Sequence, residues 1–153
     1  MISITLNVND NEYKVEVAPY HSLCDVLRDK LGFTEVKNSC NQGECGACTV
    51  LVDGKPVSSC LLLAAQAEGR KIVTIRGLSK NGELHPLQKK FIEYGAVQCG
   101  YCTPGMILAA KSLLDENPNP SEDEVRIAIS GNICRCTGYQ QIVEAIMAAA
   151  AEK

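Results

Sequence analysis

The segment Cys40-Asn41-Gln42-Gly43-Glu44-Cys45-Gly46-Ala47-Cys48 holds three cysteines within nine residues. Neither the period of a strand nor that of a helix runs through it, so the segment is predicted to be a loop. Gly43 and Gly46 allow positive φ values and a close approach of the backbone to an enclosed group. The sequence therefore predicts a tightly curled loop whose thiols converge on one small centre.

The spacing of these cysteines indicates a metal site. They stand at C-x4-C-x2-C, and Cys60 follows after eleven intervening residues, across an expected hairpin. This is the plant-type ferredoxin spacing for a [2Fe–2S] cluster, here with ligands Cys40, Cys45, Cys48 and Cys60. Backbone N–H groups of a curled loop also turn toward the sulfurs and stabilise their charge. Disulfides and structural zinc are the alternatives, but zinc prefers two C-x2-C pairs or histidine partners.

A second set of four cysteines lies in the other half of the chain. Cys99 and Cys102 form C-x2-C at the start of a predicted helix, and Cys134 and Cys136 form C-x-C just after another. Loops at the ends of bundled helices can bring the two pairs together. The positive end of the helix that starts at Thr103 favours thiolates. Spacing alone leaves zinc and an iron–sulfur cluster both open for this set.

The first half of the chain has the pattern of a small sheet with one helix. Asn9-Asp10-Asn11 separates two alternating apolar and polar runs, which predicts a hairpin. Ser22 can cap a short helix that ends at Gly32. The expected strands are 2–8, 13–17, 49–52, the residues around Val57, and 71–76. The resulting order is β-β-α-β-β-β.

After Gly77 the pattern becomes helical. The polar residues 79–83 are a predicted linker, and four helical segments with short loops follow, which is typical of a bundle. Their expected positions are around Leu87 and Phe91 as far as Gly95, from Thr103-Pro104 to Asn117-Pro118, from Ser121 to Gly131, and around Ile142 to Met147. We therefore expect an α+β protein with a β-rich domain at 1–77 and a helical domain at 78–153.

Composition narrows the functional class. The net charge of −3 and the absence of a basic run exclude the cationic footprint that nucleic-acid binding needs. The N-terminus alternates like a strand and has no signal-peptide pattern, and the apolar stretches 61–65 and 145–151 are too short to span a bilayer. We expect a soluble, cytoplasmic protein, where thiols stay reduced and clustered cysteines bind metal. The ninth cysteine, Cys24, is expected to be a free thiol off the main apolar face of its helix.

Three motifs in one order carry a resemblance to a known family. They are Asn41-Gln42-Gly43-Glu44-Cys45-Gly46-Ala47-Cys48-Thr49-Val50, Val97-Gln98-Cys99-Gly100-Tyr101-Cys102-Thr103-Pro104-Gly105, and Gly131-Asn132-Ile133-Cys134-Arg135-Cys136-Thr137-Gly138-Tyr139. Together they resemble the iron–sulfur subunit of the xanthine dehydrogenase / molybdenum hydroxylase family. The resemblance implies a plant-ferredoxin-like β-grasp domain followed by a four-helix-bundle domain, each with one [2Fe–2S] cluster.

The resemblance also implies roles for individual residues. The first set would hold the cluster nearer a flavin, and Cys99, Cys102, Cys134 and Cys136 the cluster nearer a molybdenum–pterin cofactor. Gln98 occupies the family position that touches the pterin, and Cys136 lies on the cofactor side. Without the resemblance, Gln98 would be an ordinary polar residue at a helix end.

By the same resemblance, this chain is a relay in a larger oxidoreductase. A large partner subunit would hold the molybdenum cofactor and oxidise a purine, another N-heterocycle or an aldehyde, and a medium subunit would hold FAD. The assembly would be a hetero-oligomer, for which a dimer of heterotrimers is one arrangement. No catalytic residue is expected here, because the sequence contains no flavin or nucleotide motif and its two histidines, His21 and His85, stand apart.

Two functions of other classes remain open at this point. A free-standing two-cluster ferredoxin would form no stable complex, and a zinc-stapled interaction module would be colourless. Metal content and co-purification with cofactor-bearing chains separate the three. Leu61-Leu62-Leu63 and the alanine-rich C-terminal helix are candidate partner surfaces, although both can equally be core.

Overall fold

A hairpin opens the fold of the computed structural model, which describes residues 1–152. Strands β1 (Ile2–Val8) and β2 (Asn11–Val17) pair antiparallel, with Ile2 opposite Val17 and Val8 opposite Asn11. Asn9 and Asp10 both have positive φ, as a two-residue turn of this hand requires. The period-two alternation turns one face of β1 into the core, as the sequence predicts.

Five strands make one mixed sheet in the order β2-β1-β5-β3-β4. The remaining strands are β3 (Thr49–Val52), β4 (Lys55–Ser58) and β5 (Lys71–Val73). Strand β5 runs parallel to β1 and antiparallel to β3. One helix packs on the sheet; it starts as α1 (Leu23–Asp25) and continues as π-helical turns over Val26–Lys30. The predicted β-β-α-β-β-β order is confirmed.

Strand β5 is shorter than predicted. It ends at Val73, and a 3-10 helix at Ile75–Leu78 replaces the expected extended residues. The cause lies at Thr74, whose backbone N–H donates to Asn9 Oδ1 at 2.9 Å. The side chain of Asn9, in the turn between β1 and β2, therefore binds the backbone at the point where a longer strand would have continued.

The second half forms four helices. They are α2 (Pro86–Glu93), α3 (Thr103–Glu116), α4 (Glu122–Ala128) and α5 (Gln140–Ala151). Ser121 and Glu124 cap α4 reciprocally, as predicted, and the His85 side chain caps α2 by accepting from the Leu87 N–H at 3.1 Å. The α+β prediction with four C-terminal helices is confirmed.

The two halves have separate cores that meet along α3 and β3. One core lies under the sheet and its helix, and the other fills the helical bundle and takes in Leu51 of β3. Ser112 on α3 donates to the Gly54 carbonyl at 3.0 Å, and Lys55 forms an ion pair with Glu116. This contact fixes the orientation of the two cysteine-bearing regions relative to each other.

Among residues 1–152, no helix is both long enough and apolar enough to cross a membrane.

Candidate metal centres

The loop between Cys40 and Cys48 is curled as predicted. Gly43 and Gly46 have φ values of +74° and +71°. A Cβ on Gly43 would lie 2.3 Å from Leu61 Cδ1, and a Cβ on Gly46 would lie 2.4 Å from the Gly131 carbonyl oxygen. Both positions therefore favour glycine for backbone conformation, and Gly46 also requires it for space, because the atom it would meet belongs to the backbone.

Backbone N–H groups of this loop point at sulfur. The N–H groups of Gln42, Glu44 and Cys45 each lie 3.4 Å from Cys40 Sγ. The other two such contacts are Ala47 N–H to Cys45 Sγ at 3.4 Å and Cys60 N–H to Cys48 Sγ at 3.5 Å. Such donors stabilise thiolates and the anionic clusters that thiolates hold.

The four thiols of the first set fall into two pairs. The thiol of Cys40 lies beside that of Cys45, and the thiol of Cys60 lies beside that of Cys48. Hydrogen bonds from the backbone N–H groups lower the pKa of the Cys40 thiol to about 6. Burial, with the neighbouring Cys48, raises the pKa of the Cys60 thiol to about 11. The first set therefore contains one thiol that is readily deprotonated, Cys40, and one that stays protonated at neutral pH, Cys60.

These opposite pKa shifts predict selective alkylation of the cluster-free chain. A pH of 7 lies above the pKa of Cys40 and far below that of Cys60. The fraction of Cys40 present as thiolate is therefore about 10⁴ times that of Cys60. The lower nucleophilicity of a low-pKa thiolate removes about 10² of this, so Cys40 should react roughly 10- to 100-fold faster with iodoacetamide. Peptide mass spectrometry after short exposures measures both sites in one sample. Equal rates at pH 7 would contradict the hydrogen bonds assigned to Cys40 Sγ.

The second set also forms two pairs, and they differ in exposure. Cys102, just before α3, pairs with buried Cys134, which follows α4; burial and this neighbour raise the pKa of the Cys102 thiol to about 12. Cys99 pairs with Cys136, and both are exposed. The predicted convergence of the two helix-end loops is therefore seen. The set has an inner pair of thiols and an outer pair.

The donors around the second set include a side-chain hydroxyl. Tyr101 N–H lies 3.5 Å from Cys99 Sγ, and the Thr137 hydroxyl lies 3.1 Å from Cys134 Sγ. Burial alone would raise the pKa of the Cys134 thiol, but the Thr137 hydroxyl and nearby backbone N–H groups outweigh it and lower the pKa. Thr103 Oγ1, at the start of α3, is buried without a hydrogen-bond partner. A sulfur-rich anionic centre would supply the acceptor that this hydroxyl lacks.

The pairing of thiols fits a two-iron cluster. A [2Fe–2S] cluster takes two protein ligands on each iron, so it needs two pairs and not four donors around one point. Both sets supply such pairs, with glycine cradles or helix ends beside them. Within residues 1–152, no three His, Cys, Asp or Glu side chains converge on a single metal-ion position.

A short hydrogen-bonded seam joins the two sets. The Ile133 N–H donates to the Cys45 carbonyl at 2.9 Å, and buried Asn132 donates from Nδ2 to the Gly46 carbonyl at 3.1 Å. Helix α3 also packs tightly against the cysteine loop, since a Cβ added at Gly105 would lie only 2.4 Å from the Gly46 carbonyl oxygen. Asn132 is a site residue to which sequence reasoning gave no role. Its position inside the third motif was the available signal.

The other predicted residues lie as follows. Gln98 is exposed and directly precedes Cys99 in the chain. Cys24 is fully buried in the sheet core, not off the apolar face, and burial raises the pKa of its thiol to about 11. His21 accepts from the Ala18 N–H at 3.3 Å in a turn.

Two family models match consecutive parts of the chain. Residues 6–74 match a 2Fe-2S iron-sulfur cluster binding domain, and residues 74–147 match a [2Fe-2S] binding domain. The xanthine dehydrogenase iron-sulfur-binding subunit of Escherichia coli O157:H7 is 44% identical over 95% of this chain and 92% of its own length. The chain belongs to the iron–sulfur subunits of the molybdenum hydroxylase family. The predicted family, the two [2Fe–2S] domains and the electron-transfer role are thereby confirmed.

Other members of the molybdenum hydroxylase family match over nearly their whole length. The nicotinate dehydrogenase small FeS subunit of Eubacterium barkeri is 51% identical over 95% of this chain and 92% of its own. In the solved structures, quinoline 2-oxidoreductase from Pseudomonas putida 86 has a chain that superposes with a TM-score of 0.95 at 49% identity, covering 98% of this chain and 94% of that one. Such iron–sulfur subunits work within multi-subunit oxidoreductases, which disfavours the zinc module and the free-standing ferredoxin.

Proposed function

We propose that this chain relays electrons from a molybdenum cofactor-binding large subunit to an FAD-binding medium subunit. The complex would oxidise a purine, another N-heterocycle or an aldehyde. The names of the relatives support this range, since they include nicotinate, xanthine and quinoline oxidoreductases. The observation that carries the proposal is the presence of two four-thiol sets whose loops are joined by the Ile133 to Cys45 hydrogen bond.

The thiol pairs supply the ligand assignment. Cys40 with Cys45 and Cys48 with Cys60 would hold the two irons of the first cluster. Cys99 with Cys136 and Cys102 with Cys134 would hold those of the second. When bound, each cluster supplies a one-electron carrier, so a two-electron oxidation is passed on in two steps.

The exposure of the outer pair gives the relay a direction. Cys99 and Cys136 are both exposed and lie side by side, and exposed Gln98 precedes Cys99, so the molybdenum–pterin of a partner would approach here. The inner pair, Cys102 and Cys134, faces the protein interior. From Cys134 the backbone leads to Ile133 and across one hydrogen bond to Cys45 of the first set.

The surface near the first set suits the flavin-bearing partner. Leu61 is 63% exposed although it lies over Gly43 of the cysteine loop, and Leu63 is 40% exposed. Exposed leucines at a cofactor site are typical of a subunit interface. The alanine-rich helix α5 instead buries Ala145 and Ala149 in the bundle core, so it is not proposed as an interface.

Two broader expectations stay as proposals. We retain the division into domains at 1–77 and 78–153, which the two separate cores support. We also propose a cytoplasmic location, because nine cysteines without a disulfide among them suit a reducing compartment.

Purification tests the proposed function directly. The chain, expressed with its cluster-assembly machinery, should be red-brown and contain about four irons and four acid-labile sulfides. Isolated from its native source, it should co-purify with two larger chains that contain molybdenum and FAD. A colourless zinc protein would contradict the cluster assignment. A coloured protein that never associates with such chains would contradict the relay within a complex.

A further inference from the structure

Three hydrogen bonds form a closed ring around Cys134. The Cys134 N–H donates to the Tyr139 phenol oxygen at 2.9 Å, and the Tyr139 N–H donates to Thr137 Oγ1 at 3.1 Å. The Thr137 hydroxyl lies 3.1 Å from Cys134 Sγ and closes the ring. The bonds run from residue 134 through 139 and 137 back to 134.

The ring orients the hydroxyl proton of Thr137. A threonine hydroxyl has one proton and two lone pairs, and one lone pair here accepts from the Tyr139 N–H. The proton is then free to point at Cys134 Sγ, which as a deprotonated metal ligand can only accept. Tyr139 adopts the left-handed conformation with φ of 73°, which is uncommon for a residue other than glycine. The ring offsets the cost of that conformation.

This hydroxyl differs from the other donors to sulfur because it belongs to a side chain and not to the backbone. Five backbone N–H groups lie within 3.5 Å of sulfurs of the first set, but exchanging a side chain leaves main-chain donors of this kind in place. In the second set, the donors to sulfur include the Tyr101 N–H at Cys99, the backbone N–H groups of Cys136 and Thr137 at Cys134, and the Thr137 hydroxyl, also at Cys134. Thr137 is thus a side-chain donor placed at the buried thiol.

We infer that Thr137 is a positioning residue that raises the reduction potential of the second cluster through its hydrogen bond to Cys134. This inference rests on the proposed function. Reduction adds negative charge to the cluster and its thiolates, and a hydrogen-bond donor stabilises the reduced form more than the oxidised form. Removing the donor must therefore make the second cluster harder to reduce. The first cluster lies beyond the ring and should not change.

Replacing Thr137 by valine removes the hydroxyl and keeps the shape of the side chain. In an EPR-monitored redox titration of the full chain, the equilibrium constant for reduction of the second cluster should fall about three- to tenfold. At 59 mV per tenfold this is a midpoint lower by about 30–60 mV. The signal of the first cluster in the same sample is the internal control. Thr137→Ser keeps a hydroxyl and should restore most of the wild-type midpoint.

The experiment distinguishes failure of the inference about Thr137 from failure of the proposed function. If the apolar methyl group of valine destabilises the loop, Thr137→Ala removes the same donor without placing a new methyl group beside the sulfur. An unshifted second midpoint in either variant would overturn the inference, and so would loss of the second cluster from both. An equal shift of both clusters would overturn it as well. A wild-type chain with no [2Fe–2S] signals would contradict the proposed function itself.

Discussion

Replacing Cys102 by serine should abolish the EPR signal of one [2Fe–2S] cluster and leave the other intact. Cys102 pairs with Cys134 at the buried side of the second set, where no other thiol is available to take its place. Iron–sulfur clusters select soft thiolate ligands, and a serine oxygen is a poor substitute. The iron content of the chain should fall by about half. In the complex proposed above, substrate should then no longer reduce the FAD of the medium subunit.

Two further variants make this result decisive. Cys45→Ser should remove the other signal, since Cys45 belongs to the first set. Cys24→Ala is the matched control. Cys24 is a buried cysteine in the same half of the chain as Cys45, but it packs in the core, where its thiol lies 3.9 Å from the Lys37 carbonyl. It should keep both signals at a modest cost in stability. Two intact signals in Cys102→Ser, or a lost signal in Cys24→Ala, would show that the ligand assignment is wrong.

Local signals in the sequence predicted most of the elements. The Asn9-Asp10 turn, the Ser121 cap and the Thr103-Pro104 helix start act within a few residues, so their effect can be read from the chain alone. Long-range contacts decided the exceptions. Strand β5 ends just before Thr74, because the side chain of Asn9, 65 positions away, accepts a hydrogen bond from the Thr74 N–H. No local sequence pattern around Thr74 indicates so distant a hydrogen-bond partner.

The candidate site likewise combines features that the local sequence predicted with features that depend on long-range packing. Spacing and family resemblance predicted the eight cysteines, because ligands must recur at intervals that a loop can fold into one centre. The partition into thiol pairs, and the exposure of Cys99 and Cys136 against the burial of Cys134, depend on how two distant loops pack. The Asn132 to Gly46 contact spans 86 positions. The ring through Thr137 also escaped prediction, since it depends on the positive φ of Tyr139.

Replacing Gly105 by alanine should separate the two cluster-bearing halves. Its Cβ would lie 2.4 Å from the Gly46 carbonyl oxygen and 3.0 Å from Asn132 Nδ2, so helix α3 must shift away from the cysteine loop. Gly105 is helical, so the substitution introduces no conformational strain and its effect comes from the clash alone. Overpacking of this kind costs about 2 kcal/mol, or roughly 4–8 °C in Tm for a chain of this size.

The shift of α3 should also loosen the seam that links the clusters. Gly46 follows Cys45, whose carbonyl accepts the Ile133 N–H, so displacing this loop lengthens that hydrogen bond. The magnetic coupling between the two reduced clusters should weaken in the EPR spectrum of Gly105→Ala, with both signals still present. Gly131→Ala is the matched control, because its Cβ meets nothing within 4 Å although Asn132 is its neighbour. Because the two variants add the same methyl group beside the same seam, equal losses of Tm and coupling would mean that the close approach at Gly105 does not hold the halves together.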